Sequence, residues 1–240
     1  MTEYSDEAIR RLSEAFEAAR DPAAGAAMSA YMRNLFPFLG IKGPVRDTLQ
    51  REALVEMPRP SQGDLEAAAR GLWALPEREY QYAACDLLRR YGKAMDDRFL
   101  AVARELVQSK SWWDTVDTLA SNVVGPIVQR HPELRGEMDH GVRAGDMWVA
   151  RAAILHQLKY RGATDAARLF GYCELRAADT EFFIRKAIGW ALREYSKTNA
   201  AAVRAFVAGH EAELSGLSKR EALLWLNGRR SGRGLTRRID

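Results

Sequence analysis

The sequence predicts an all-α fold, a solenoid of stacked helix pairs, from three observations. Runs such as DEAIRRLSEAFEAAR (6–20), DDRFLAVARELVQS (96–109) and AAVRAFVAGHEAEL (201–214) carry apolar residues at three- and four-residue steps, the period of amphipathic helices. No convincing period-two segment interrupts them. When YQYAACDLL (80–88), WWDTVDTLA (112–120), MWVARAAIL (147–155) and FFIRKAIGW (182–190) are superposed, a ring falls in one column at Tyr82, Trp113, Trp148 and Phe183, at steps of 31, 35 and 35 residues. A repeat of that length, one helix pair per unit, belongs to α-solenoids of the HEAT and armadillo kind, which curve into a superhelix with a concave face.

Taken in order, the first helix is expected over 6–20, and the repeat helices follow over 80–88, 96–109, 112–120, 147–155, 182–190 and 201–214. Breakers separate them at Pro44, Pro58, Pro60, Pro76, Pro126 and Pro132. Ser218 with Glu221 reads as a capping box that opens a last helix at LSKREALLWL. The expected organisation is one repeat domain over 1–227 and a basic C-terminal tail over 228–240, GRRSGRGLTRRID, which holds five arginines against one aspartate. That tail either touches phosphate or is simply solvated.

Composition excludes several classes. At 47% hydrophobic and 28% charged residues the chain is neither disordered nor collagenous, and 240 residues suffice for a sizeable core. No run of 18 apolar residues offers a membrane span, and the mixed-charge start MTEYSDEAIRRL does not read as a secretory signal, so an intracellular chain is expected. Cys85 and Cys173 read as buried thiols in a reducing compartment. His131, His140, His156 and His210 show no zinc-ligand spacing, and neither GxxxxGK[ST], a strand-linked GxGxxG nor GxSxG occurs. Neither metal nor cofactor is expected. The formal charge of +4 permits a nucleic-acid partner without demanding one.

The stretch SWWDTVD concentrates chemistry. Adjacent helical residues diverge by about 100°, so one of Trp112 and Trp113 packs inward while the other is free to face a groove. Trp113 is the expected groove residue, because it lies four residues before Asp117 on one helical face and shares the repeat column with Trp148. Trp148 with Arg151 and Trp190 with Arg193, each three apart, make similar faces. Asp117 has two readings: a carboxylate paired with Arg151 of the next repeat, or a charge held in a cleft to stabilise a cation or orient water.

The motifs AYMRNLFPFLGI (30–41), LPEREYQ (75–81), SWWDTVD (111–117), RAAILHQLKY (151–160), EFFIRKAIGWALREYSKTN (181–199) and LSKREAL (217–223) closely resemble, in order, the AlkD-type DNA alkylation repair glycosylases, a HEAT-like repeat family. The resemblance implies a superhelix that holds duplex DNA in its concave groove and hydrolyses the N-glycosidic bond of N3- or N7-alkylated purines without enclosing the base in a pocket. By position it implies Asp117 as catalytic carboxylate, Trp113 and Trp190 as cleft aromatics, and Arg151 as a brace for the DNA backbone. Tyr31, Phe182, Phe183 and Arg193 match positions near the cleft, and Ser218, Lys219 and Arg220 match a helix start that contacts the backbone. Lys42 and Gly43 in GIKGPV depart from the polar residues often seen in that loop.

The chemistry is consistent with those residue types. Alkylation at N3 or N7 puts a positive charge on the base and makes it a good leaving group. What remains is an oxocarbenium-like sugar that a carboxylate stabilises while holding a water, and indole faces favour cations by about 0.5–2 kcal/mol each. No lysine matches a Schiff-base position, so the enzyme is expected to be monofunctional. The resemblance implies a cytoplasmic, bacterial, nucleoid-associated monomer acting on duplex DNA, with no membrane partner. A non-catalytic binder of branched or distorted DNA and a protein-binding scaffold are the alternatives.

Overall fold

The computed structural model of the chain describes residues 1–232, and the remainder of the expected basic tail lies outside the described residues. Among the described residues every regular element is helical, as the periodicity predicts, and no helix is long and apolar enough to cross a membrane. The chain divides into two compact units, Met1–Ser111 and Trp112–Asp240.

The first unit comprises α1 (Glu3–Ala18), α2 (Pro22–Tyr31), α3 (Gly43–Ala53), α4 (Gln62–Ala74), α5 (Arg78–Arg90) and α6 (Phe99–Gln108). Helix α1 starts three residues earlier than its apolar pattern suggests because of a capping box: Thr2 Oγ1 accepts from the Ser5 N–H at 3.1 Å, and Ser5 Oγ accepts from the Thr2 N–H at 2.8 Å. Ala8, Leu12 and Phe16, four residues apart, are fully buried where α1 meets α3 and α4. Ser61 with Asp64 caps α4 in the same way, and α4 buries Leu65, Ala68, Ala69, Leu72 and Trp73 among its neighbours α1, α5 and α6.

Two buried charges on α5 organise the loop before α3. Glu79 is wholly buried, yet its carboxylate is satisfied by three backbone donors: Oε2 accepts from Leu39 N at 3.0 Å, and Oε1 from Gly40 N at 2.9 Å and Ile41 N at 3.1 Å. Gly40 adopts φ +94°, and a side chain there would strike the Asp21 carbonyl at 2.1 Å. Arg78 stacks over the Phe36 ring at 3.9 Å and donates to the Lys110 carbonyl at 2.8 Å.

The second unit comprises α7 (Trp113–Leu119), α8 (Gly125–Arg130), α9 (Arg135–Gly141), α10 (Met147–Leu155), α11 (Ala166–Leu175), α12 (Phe182–Ser196), α13 (Ala200–Gly209) and α14 (Gly216–Gly232). Helix α10 packs on α7, α9 and α12, and α12 in turn on α11, α13 and α14. The sequence places a break at Pro126, but the backbone stays helical through it. Pro126 has no N–H to give the Asn122 carbonyl, and the chain answers with a wider π-helical turn at Ala120–Val124. Ser121 Oγ and Asn122 Nδ2 add to this by donating back to the carbonyls of Asp117 and Thr118 at 2.8 and 2.9 Å.

Gly125 ends that turn against the last residues of the α10 segment, where a Cβ would lie 2.1 Å from the His156 carbonyl oxygen. Gly125→Ala is expected to destabilise the chain by about 2 kcal/mol through overpacking, read as a lowered midpoint in urea. An unchanged midpoint would show that α8 slides freely against α10.

The last helix also departs from the sequence reading. It begins at Gly216, a turn before the expected capping box, and the cap is Ser215, whose Oγ accepts from the Ser218 N–H at 3.0 Å. Ser218 instead gives its hydroxyl to the Arg185 carbonyl of α12 at 2.9 Å, and Glu221 turns to cations of α12. The helix continues to Gly232, past the residue at which the tail was expected to begin. Helix α13 stops at Gly209, short of residue 214, where His210 Nδ1 engages the Phe206 carbonyl at 2.9 Å.

Cys85 and Cys173 are both buried free thiols, and burial pushes the Cys173 thiol far above its ordinary range. His156 is buried between Tyr160 and Tyr172, with Nδ1 2.6 Å from the Ala153 carbonyl. Burial pulls its pKa down to about 4 from the ordinary 6.5. A His lowered on folding favours the folded state above the unfolded pKa, and that advantage fades as pH falls from 6.5 towards 4. The expected loss across this window is about 3 kcal/mol. Unfolding midpoints in urea at pH 7 and pH 4.5 should therefore separate more widely in the wild type than in His156→Gln.

Candidate active site

Three helix starts in the second unit supply the rings of the site. Trp112 is extended, at φ −158° and ψ 162°, and immediately precedes α7. Trp148 is the second residue of α10, pinned by Asp146, whose Oδ1 accepts from the Trp148 and Val149 N–H groups at 2.8 and 3.4 Å. Phe182 and Phe183 open α12. These rings meet: Trp112 lies 4.9 Å from Phe183 edge-on and 5.6 Å from Trp148, Trp148 lies 5.0 Å from Phe183, and Phe182 meets Phe183 at 5.3 Å.

The charged pair lies next to this cluster. Asp117 is the fifth residue of α7 and Arg151 the fifth of α10, so the packing of the two helices brings them face to face. Arg151 Nε donates to Asp117 Oδ1 at 2.7 Å and Nη2 to Oδ2 at 2.8 Å, a bidentate fork. Its remaining amino group, Nη1, donates to the Phe183 carbonyl, so one guanidinium ties α7, α10 and α12 together. The guanidinium also lies 5.8 Å from the Phe183 ring.

Burial sets the electrostatics. Asp117 is 8% exposed and Arg151 3% exposed. Burial raises the Asp117 carboxyl above the usual carboxylate range, and the Arg151 hydrogen bonds pull the other way. The result is a carboxylate with a narrow opening to solvent, fixed in orientation by an arginine that also reaches Phe183 of the ring cluster. Such a group can face a developing positive charge with little reorganisation.

Of the residues singled out from sequence, Asp117, Arg151, Phe182 and Phe183 come together here. The ring that joins Trp148 and Phe183 is Trp112, while the repeat column holds its neighbour Trp113. The helical 100° rule does not hold across an extended residue, and Trp112 precedes the helix. Trp113 is half-buried at the first position of α7, one turn before Asp117. Trp190 is half-buried on α12, seven residues beyond Phe183 and therefore on nearly the same face.

The resemblance casts Arg151 as a brace for DNA, but its guanidinium is buried and all three of its nitrogens are engaged, so in this structure it orients Asp117. Ser218 is likewise fully buried, its hydroxyl spent on Arg185. Lys219 gives Nζ to the Glu211 carbonyl at 2.7 Å, Arg193 pairs with Glu221 at 2.9 Å, and Arg220 is exposed. Phe182 is largely exposed, and so is Tyr31, at the end of α2 in the first unit.

A family model described as "DNA alkylation repair enzyme" matches residues 12–226. A solved structure described as "Predicted DNA alkylation repair enzyme from Enterococcus faecalis" is similar at 33% identity and a TM-score of 0.78, over 86% of this chain and 96% of that one. No curated protein matches the chain. With a buried carboxylate held by an arginine that also reaches the ring cluster, and a match over most of its length, the chain belongs to the DNA alkylation repair enzyme family.

Proposed function

We propose that the chain is a monofunctional DNA glycosylase that hydrolyses the N-glycosidic bond of cationic N3- or N7-alkylated purines in duplex DNA. The observation that carries this reading is the bidentate Arg151–Asp117 pair beside the ring cluster. A purine already charged by alkylation needs little acid help to leave. The barrier lies in the oxocarbenium-like deoxyribose, and a fixed, largely desolvated carboxylate stabilises that charge and orients the attacking water. Arg151 holds the carboxylate in place, and Trp113 and Trp190 offer indole faces to the cationic nucleoside.

In this reading the sugar, rather than an enclosed base, is what the site grips, so the reaction proceeds without a base pocket. Exposed cations carry the affinity for the phosphate backbone, giving a strong dependence on salt. The chain acts as a monomer in the bacterial cytoplasm, on the nucleoid.

The test is direct: incubate the purified chain with methylated duplex DNA and identify the released bases by mass. The expected products are 7-methylguanine and 3-methyladenine. Tight binding to branched or distorted DNA with no base released would replace this reading with that of a non-catalytic binder.

A further inference from the structure

Resting on that reading, one carboxylate outside the site stands out. Glu221 of α14 is shared by two cations of α12: Oε1 accepts from Lys186 Nζ at 2.6 Å and Oε2 from Arg193 Nη1 at 2.9 Å. Its side chain is 13% exposed, whereas Lys186 and Arg193 keep 39% and 27% of theirs in solvent. The two cations draw the Glu221 carboxyl below its ordinary range, Lys186 first.

The backbone makes this arrangement obligatory. Gly189 admits α14 so closely that a Cβ there would lie 2.5 Å from Glu221 Cβ and 3.0 Å from the Ser218 carbonyl oxygen. Ser218 Oγ locks the same contact through the Arg185 carbonyl at 2.9 Å. At about 100° per residue, Lys186 and Arg193 run along one line of α12, with Gly189 on one side of it and Trp190 on the other. The cations therefore occupy the seam between the face buried on α14 and the face that carries Phe183 and Trp190. The three ion-paired groups carry a net charge of one, and the exposed Arg220, which also acts on Glu221, adds to the positive field there.

We infer that Glu221 is a specificity-determining residue: by half-neutralising Lys186 and Arg193 beside Trp190, it restrains their grip on the phosphates of undamaged duplex DNA. Discrimination then rests on the lesion's own charge, because backbone affinity alone is kept weak. The carboxylate touches no reacting atom and acts through the two cations.

The experiment is equilibrium binding of an undamaged duplex as a function of salt by wild type, Glu221→Gln and Glu221→Asp. Glu221→Gln should bind several-fold tighter at low salt, with a salt slope steeper by about 0.9, the value for one further phosphate neutralised. Glu221→Asp, which keeps the charge, should retain the wild-type slope. An unchanged or shallower slope in Glu221→Gln overturns the inference. Should that variant unfold, Lys186→Met serves instead: a shallower slope is expected, and an unchanged one overturns the inference. Base release from methylated duplex by the wild type separates the two ideas. Base release with an unmoved Glu221→Gln slope sinks only this inference, whereas a steeper slope without base release sinks only the glycosylase reading.

Discussion

Asp117→Asn is expected to slow release of 7-methylguanine from methylated duplex by about 10²–10³-fold, the range for removing one preorganised electrostatic contact to a transition state. Duplex binding should survive, because Asp117 is buried and the proposed phosphate contacts lie elsewhere. The amide keeps one acceptor for Arg151 but leaves the guanidinium without its charge partner, so some stability is lost as well, and the assay belongs well below the variant's melting temperature. The pH profile gives a second reading. Burial raises the Asp117 carboxyl, so the acid limb of the rate profile should sit above the ordinary aspartate value and be missing from Asp117→Asn. A variant that releases base at the wild-type rate would remove this carboxylate from the mechanism.

The largest effect on folding is expected at Glu79. Glu79→Gln turns an amide N–H₂ towards at least one of three buried backbone donors that now share a carboxylate, those of Leu39, Gly40 and Ile41. Losing charge-assisted bonds and stranding a donor costs about 4 kcal/mol, a large part of the 5–15 kcal/mol that holds a domain folded. The loop cannot relax easily, since Gly40 is wedged against the Asp21 carbonyl and the Gly25 amide. Urea unfolding would measure this, and a loss under about 1 kcal/mol would show that the loop finds other acceptors.

Some of this was legible in the sequence and some was not, for physical reasons. The all-helical fold was legible because apolar spacing records which face is buried, and Leu12 and Phe16 lie where that spacing puts them. The Asp117–Arg151 pairing was one of two readings of the same residues, and the structure joins them. The ring cluster around Trp112 was not legible, because Trp112 lies in extended backbone before α7 and helical angles do not extend across a helix start. Pro126 read as a break because sequence does not reveal that a π turn can absorb a missing N–H. Glu79 left no trace, since its partners are main-chain amides and any residues could supply those. Ser218 and Glu221 matched a capping box by type and spacing, yet Ser215 stands three residues earlier with the same hydroxyl, and tertiary contact with α12 decided between them.

The two cysteines acquire another meaning in this family. Methylating agents that mark purines are soft electrophiles, and they react with thiolate sulfur wherever it is ionised and reachable. Cys85 and Cys173 are both enclosed, and the Cys173 thiol is held protonated by its surroundings. Enclosure makes both poor targets for such agents, and Cys173 the poorer of the two.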